Sequence, residues 1–189
     1  MARTPSAARG RLIQAALNLF VEQGFTATTT RQIADQAQVN EATLFRNFGS
    51  KHDLLLAVMA GSGMVQGIAA LHQATPSPDT PLPEAVRQYV SAGLADLEPH
   101  AALLRALLGE VSQYSPEQRQ TLGDRLRELS QGAARYFAAW VTPESSSVLL
   151  SSDQLASLIH SLVLSHVLTA EFTPSLWASS DELVASLVA

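Results

Sequence analysis

The stretch NEATLFRNFGSK, residues 40–51, packs Arg46, Asn47 and Lys51 with the rings of Phe45 and Phe48 into a dozen positions, side chains suited to meeting a polyanion. Lys51 is the only lysine in 189 residues, and just 15% of the chain is charged. In a major groove an arginine can bond a guanine edge, while Ala42, the Thr43 methyl and Phe45 can touch thymine methyl groups. Lys51 sits where a following helix should begin, and there free amides and the helix dipole already favour a phosphate. The same holds for Thr30 and Arg31 at the start of an earlier helix. The chemistry implied is recognition of a duplex, not the making or breaking of bonds.

Other chemistries find no footing. The chain has no cysteine, which excludes disulfides, thiolate metal sites and a cysteine nucleophile. Its five histidines include no H-x-x-x-H pair. His160 and His166, six residues apart, face about 120° away from each other around a helix, too far to share a metal; one is expected at an interface and the other solvated or hydrogen-bonded. There is no Ser-His-Asp or paired-carboxylate pattern and no glycine-rich phosphate loop. No enzyme activity, metal or cofactor is expected.

The elements that must position these residues are helices throughout, since no sustained period-2 alternation occurs. Ile13, Ala16, Leu17 and Phe20 fall on one face of a first helix, which Gly24 should stop in a left-handed conformation with Phe25 folding back onto Phe20. Thr29 with Gln32 forms a capping box for a short second helix. Ala37-Gln38-Val39 is the turn, and Asn40 caps a third helix that ends at Phe48-Gly49. On that third helix Leu44 and Phe48 point to the core; Ala42, Phe45 and Arg46 lie on the other side, with Thr43 at the edge. Two short helices joined by a three-residue turn and braced by a first match the helix-turn-helix plan. The same cationic face would also suit an acidic protein partner. The Thr-capped second helix, the Phe45/Arg46 face and Lys51 are all needed only if one duplex is the target.

Ser50 with Asp53 opens a fourth helix, predicted to run through Gln73. After the proline-rich loop 74–83, helices are expected over 83–97, 99–112, 116–140 and 152–171, with a short last one near Ser180. Nine helices result: an all-α chain with a three-helix helix-turn-helix head over 1–56 and a helical body over 57–189. Residues 1–55 hold six cations and four anions, whereas the remainder holds six against thirteen. A basic head on an acidic body suits DNA binding by the head alone. No run of about 18 apolar residues exists, and the first helix is amphipathic, unlike a secretory signal. A soluble cytoplasmic protein without membrane contact is the expectation.

The segment GFTATTTRQIADQAQVNEATLFRNFGSKHDLL resembles the DNA-binding domain of the tetracycline-repressor (TetR) family of bacterial transcription regulators, over about residues 9–56. The resemblance rests on T-T-x-R-x-I-A, the V-N turn, A-T-L-F-x-x-F and S-K-x-x-L-L. It implies a homodimer that places two recognition helices in successive major grooves of a near-palindromic operator, a body that binds a small-molecule effector, and repression as the usual outcome. By position, Thr30 and Arg31 match backbone contacts. Asn40, Glu41, Ala42 and Thr43 match the leading end of the recognition helix, Phe45, Arg46 and Asn47 its middle, and Lys51 a lysine to phosphate. Four departures stand out. Gln38 holds a turn position usually given to glycine, at a cost of order 1 kcal/mol if left-handed. Phe45 stands where tyrosine is common, and Asn47 replaces an aromatic or histidine. Glu41 would repel phosphate unless it accepts from a cytosine amine.

In the body, Leu155, Leu158, Ile159, Leu162, Val163, Val167 and Leu168 surround a helix that reads as buried on more than one side. Ser157, Ser161, Ser165 and Thr169 form a ridge of small side chains beside Leu158 and Leu162. This is read as half of a dimer interface; the alternative is a solvent face whose hydroxyls bond the backbone four residues earlier. Met59, Met64, His72, Tyr89, Phe137 and Trp140 are candidates to line a mainly apolar effector cavity, though any one of them would serve equally as core. Gly61, Gly63 and Gly67 leave room beside the fourth helix. An effector there would tilt the helix carrying Lys51 and change the separation of the recognition helices, which must stay near 34–36 Å.

Overall fold

The structure, a computed structural model, describes residues 5–74, 77, 79–141, 150–170, 182 and 185. Among these residues there are nine α-helices and no strand. They are α1 (Pro5–Gln23), α2 (Thr30–Gln36), α3 (Glu41–Phe48), α4 (Lys51–Gly61), α5 (Gln66–Gln73), α6 (Leu82–Leu97), α7 (Ala101–Gly109), α8 (Pro116–Phe137) and α9 (Ser152–Thr169). Short 3₁₀ turns at Glu98–His100 and Val111–Gln113 flank α7. No single helix among the described residues is long and apolar enough to cross a membrane. The helix expected near Ser180 lies outside the described residues, apart from the helical positions Glu182 and Ala185.

The chain divides into two compact units, Met1–Met64 with His100–Arg119, and Val65–Pro99 with Gln120–Ala189. In the first, α1 packs on α2, α3, α4 and α7. Ala16 and Phe20 are buried as predicted, but the stripe centres on Leu12 and Ala15, with Ile13 and Leu17 half-buried at its edge. Gly24 stops α1 with φ +83°, and Phe25 lies 5.2 Å from the Phe20 ring. The division drawn at residue 56 falls inside α4. The unit instead keeps all of α4 and gains α7 and the start of α8, tied in by Gln118, whose Nε2 donates to Asp53 Oδ1 at 2.7 Å.

The long fourth helix is the main correction. It ends at Gly61, where Ser62 bonds back to the Met59 carbonyl, and Gly63 turns the chain with φ +73°. A new helix, α5, then starts, and its Gly67 and Ile68 amides donate to the Asp96 carboxylate at 3.1 and 2.9 Å. Weak helix formers at 61–63 lower the cost of breaking, and a carboxylate from α6 supplies the cap that makes a second N-terminus stable. The helix carrying Lys51 thus ends at Gly61, and Gly67 lies in a separate helix.

In the second unit α6 packs on α5 and α9. Gly93 on α6 lets α9 approach, since a Cβ there would meet Val163 Cγ1 at 3.3 Å. Tyr89, Phe137 and Ile159 are among the largest fully buried side chains of this unit.

Candidate nucleic-acid interface

Local signals build the two helices of the motif. The Thr29 hydroxyl accepts from the Gln32 amide at 3.2 Å, and Gln32 Oε1 accepts from the Thr29 amide at 2.8 Å, so two orphan donors of α2 are satisfied reciprocally. At its other end Gln38 has φ +53°, and Gln38 and Val39 donate to Asp35 and Ala34 at 3.0 Å each, which is a Schellman stop. Gln38 thus holds the left-handed position without glycine. Asn40 caps α3 by accepting from the Thr43 amide at 2.8 Å and the Thr43 hydroxyl at 2.6 Å.

α3 is two-faced as the sequence required. Leu44 and Phe48 are buried, while Ala42, Phe45 and Arg46 are exposed, Phe45 at 47%. Arg31 and Asn40 are exposed as well, and Thr30, Glu41, Thr43, Asn47 and Lys51 are half-buried. Several of these are already engaged. Asn47 Nδ2 donates to the Thr43 carbonyl at 2.7 Å. The Thr30 hydroxyl donates to Glu41 Oε1, joining the first residues of α2 and α3.

Lys51 is the most committed. Its Nζ donates to the Phe25 and Thr28 carbonyls at 2.8 and 2.7 Å and lies 4.2 Å from the centroid of the Phe25 ring. Burial holds its pKa below the usual 10.5, an effect opposed by the charge of Glu110. An ammonium has three protons, so two carbonyls leave one for a further acceptor. Lys51 fastens the start of α4 to the segment between α1 and α2.

Sequence reasoning missed further supports. Arg11 Nε donates to the Ala37 carbonyl at 2.9 Å, bracing the C-terminus of α2, and the Arg9 guanidinium lies 4.9 Å over the Phe48 ring. Thr28, 1% exposed, donates to the Gly24 carbonyl at 2.7 Å. His52 lies between Phe25 and Tyr114, tilted against the first and edge-on to the second at centroid distances of 5.2 and 5.3 Å, with Glu110 Oε2 3.8 Å from its Nε2. Burial and Glu110 push the Tyr114 hydroxyl up to about 12. An arginine beside buried Leu12 on α1 was the one available signal; the other contacts depend on folding.

Of the six cavity candidates, Met59 and Met64 belong to the first compact unit, and His72, Tyr89, Phe137 and Trp140 to the second. The second unit brings its four together, with a neighbour the sequence did not nominate. Tyr89 Oη lies 2.9 Å from His72 Nε2 and 2.8 Å from His160 Nε2. Tyr89 also packs at 5.1 Å from Phe137 and 5.6 Å from Tyr136, which in turn lies 5.4 Å from Trp140. Burial lowers the pKa of both histidines; Arg135 adds to this at His72, and His72 does so at His160. His166 is placed differently, 3.8 Å from Glu98.

Along α9, Ser157, Leu158, Ser161, Ser165 and Thr169 are exposed and Leu162 half-buried, while Leu155, Ile159, Val163 and Val167 are buried. Ser161 and Thr169 donate to the carbonyls of Ser157 and Ser165 at 2.8 Å each. That is the bonding expected of a solvent face, and it equally leaves those two hydroxyls satisfied if the face becomes covered.

A family model described as "Bacterial regulatory proteins, tetR family" matches residues 12–58. The helix-turn-helix-type transcriptional regulator YvkB of Bacillus subtilis is 31% identical over 128 residues, which span 64% of this chain and 67% of that protein. A helix-turn-helix-type transcriptional repressor of Mycobacterium tuberculosis is 46% identical over 48 residues, 25% of this chain and 26% of its own. Among solved structures, the transcriptional regulator FadR from Bacillus subtilis in complex with stearoyl-CoA superposes with a TM-score of 0.72 at 19% identity, covering 95% of this chain and 97% of that one. At that identity the likeness is one of fold.

Proposed function

The chain belongs to the TetR family of DNA-binding transcriptional regulators, and we propose that it is a repressor which binds a near-palindromic operator as a homodimer and lets go when a small molecule binds the second unit. The observation that carries this reading is the exposed Ala42/Phe45/Arg46 face on a helix capped by Asn40 and braced from behind by Leu44 and Phe48. A face with a cation, an aromatic ring and small residues fits a major groove, and Arg31 stands ready for the backbone on the preceding helix.

The exposed ridge of α9 supports a second copy as partner, and two copies would supply the two half-sites. Buried Tyr89, flanked by half-buried His72 and His160, supports an effector site with a polar anchor inside an apolar wall. FadR, a fold relative, holds stearoyl-CoA, so this fold has room for a small molecule. Repression is supported by the Mycobacterium tuberculosis relative, and a cytoplasmic location accords with DNA as the target.

The test is fluorescence anisotropy of the full chain on DNA from upstream of its own gene, titrated against salt. A specific complex should be tight at physiological salt and weaken steeply as salt rises. Arg46→Ala should cost about 1–3 kcal/mol on the operator and far less on random DNA. Binding that is equal on both DNAs, in parent and variant alike, would sink the proposal.

A further inference from the structure

We propose that Glu41, held in place by Thr30, selects a cytosine at one fixed position in each operator half-site; this rests on the reading of α3 as the helix that enters the major groove. Glu41 is the first residue of α3 and the only acid on it. It has no capping duty, because Asn40 already accepts from the Thr43 amide. Its carboxylate instead accepts the Thr30 hydroxyl proton through Oε1. A hydroxyl has one proton to give, so a Thr30 bonded in this way does not donate to a phosphate. Thr30 is a positioning residue, and the family-derived expectation of a backbone contact passes to its neighbour Arg31.

What Thr30 positions is a carboxylate with acceptor capacity to spare. The N-terminus of α3 stabilises the negative charge of Glu41, and with Oε1 taken by Thr30 the lone pairs of Oε2 remain for a further donor. A carboxylate facing phosphates is repelled. Facing a base edge, it meets acceptors at guanine O6 and N7 and at thymine O4, and it meets N7 beside the adenine amine. Cytosine alone offers its N4 amine with no acceptor next to it in the major groove. A fixed carboxylate therefore penalises three bases and accepts one. Without the Thr30 bond the side chain would swing clear of unfavourable pairs, and the discrimination would blur.

The experiment is selection from a randomised DNA pool by the full chain and by Glu41→Ala, Glu41→Gln and Thr30→Val, with thermal melts of each. The parent should return a symmetric motif with one strongly preferred cytosine per half-site. Glu41→Ala should lower that preference roughly tenfold and leave the other columns unchanged. Thr30→Val should weaken the same column to a smaller extent. Glu41→Gln keeps an oxygen for the Thr30 bond but adds a donor, and should move that column toward adenine. Its motif decides the matter even if Glu41→Ala fails to fold. The proposal is overturned if the parent returns a motif and Glu41→Gln returns the same one, or if the altered column held a base other than cytosine. A parent that enriches no motif would instead overturn the reading of α3 itself, and this inference with it.

Discussion

Single residues here do work that their position in the chain only half discloses. Lys51 is the clearest case. Two hydrogen bonds from its ammonium to the Phe25 and Thr28 carbonyls, with a ring beneath it, make it an internal fastener. Lys51→Ala should thus lower the stability of the free protein by about 2 kcal/mol, since bonds to charged donors are the stronger kind. Chemical denaturation without DNA would read this; an unchanged midpoint would mean the ammonium is free for phosphate alone. Gln38 makes the converse prediction. Its φ of +53° is strained for a side chain, and glycine is at home there at some entropic cost to the folded state. Gln38→Gly should raise stability by up to about 1 kcal/mol, measured as a higher midpoint with unchanged slope.

Between elements, one phenol joins three helices of the second unit. Tyr89 on α6 bridges His72 on α5 and His160 on α9. His72 lies against α8 at Gly132, where an added Cβ would stand 2.1 Å from its ring. The hydroxyl donates to one imidazole and accepts from the other, so both rings are satisfied only while at least one is neutral. Tyr89→Phe should cost about 1 kcal/mol by removing the hydroxyl that two half-buried imidazoles share, with thermal melting as the check. The pH dependence follows from the same cluster. Both histidines are depressed below their ordinary 6.5 by burial, so the unfolded chain takes up protons first. Their contribution to stability is intact above that value and is lost as pH falls below it toward the folded pKa values. The melting temperature should drop on acidification from about pH 7 to about pH 5, and His160→Asn should flatten that slope. A slope equal in parent and variant would point to other groups.

For the whole molecule the open question is the second copy. An exposed Leu158, 43% accessible, beside a row of small hydroxylated residues on α9 is the surface on which homodimer formation is proposed. Leu158→Glu places a charge at its centre while leaving the buried side of α9 untouched. The variant should fold, sediment as a monomer, and lose tight operator binding because a single recognition helix engages one half-site. A variant that remains a dimer would move the interface elsewhere.

What the sequence determined by itself was everything governed by near neighbours in the chain. The caps at Thr29, Asn40 and Ser50, the glycine stop at residue 24 and the Leu44/Phe48 side of α3 all follow from residues within a few positions of one another. These signals were enough to place the helix-turn-helix and its outward face. The tertiary structure decided what depends on distant partners. Lys51 finds carbonyls 26 and 23 residues away, Thr30 finds Glu41 across 11, and Tyr89 finds His160 across 71. Even the break between α4 and α5, foreshadowed by its glycines, is completed by Asp96 from another helix, 29 residues from Gly67. A hydrogen bond's donor can be read from its residue type, but its acceptor exists only once packing has brought the two within about 3 Å.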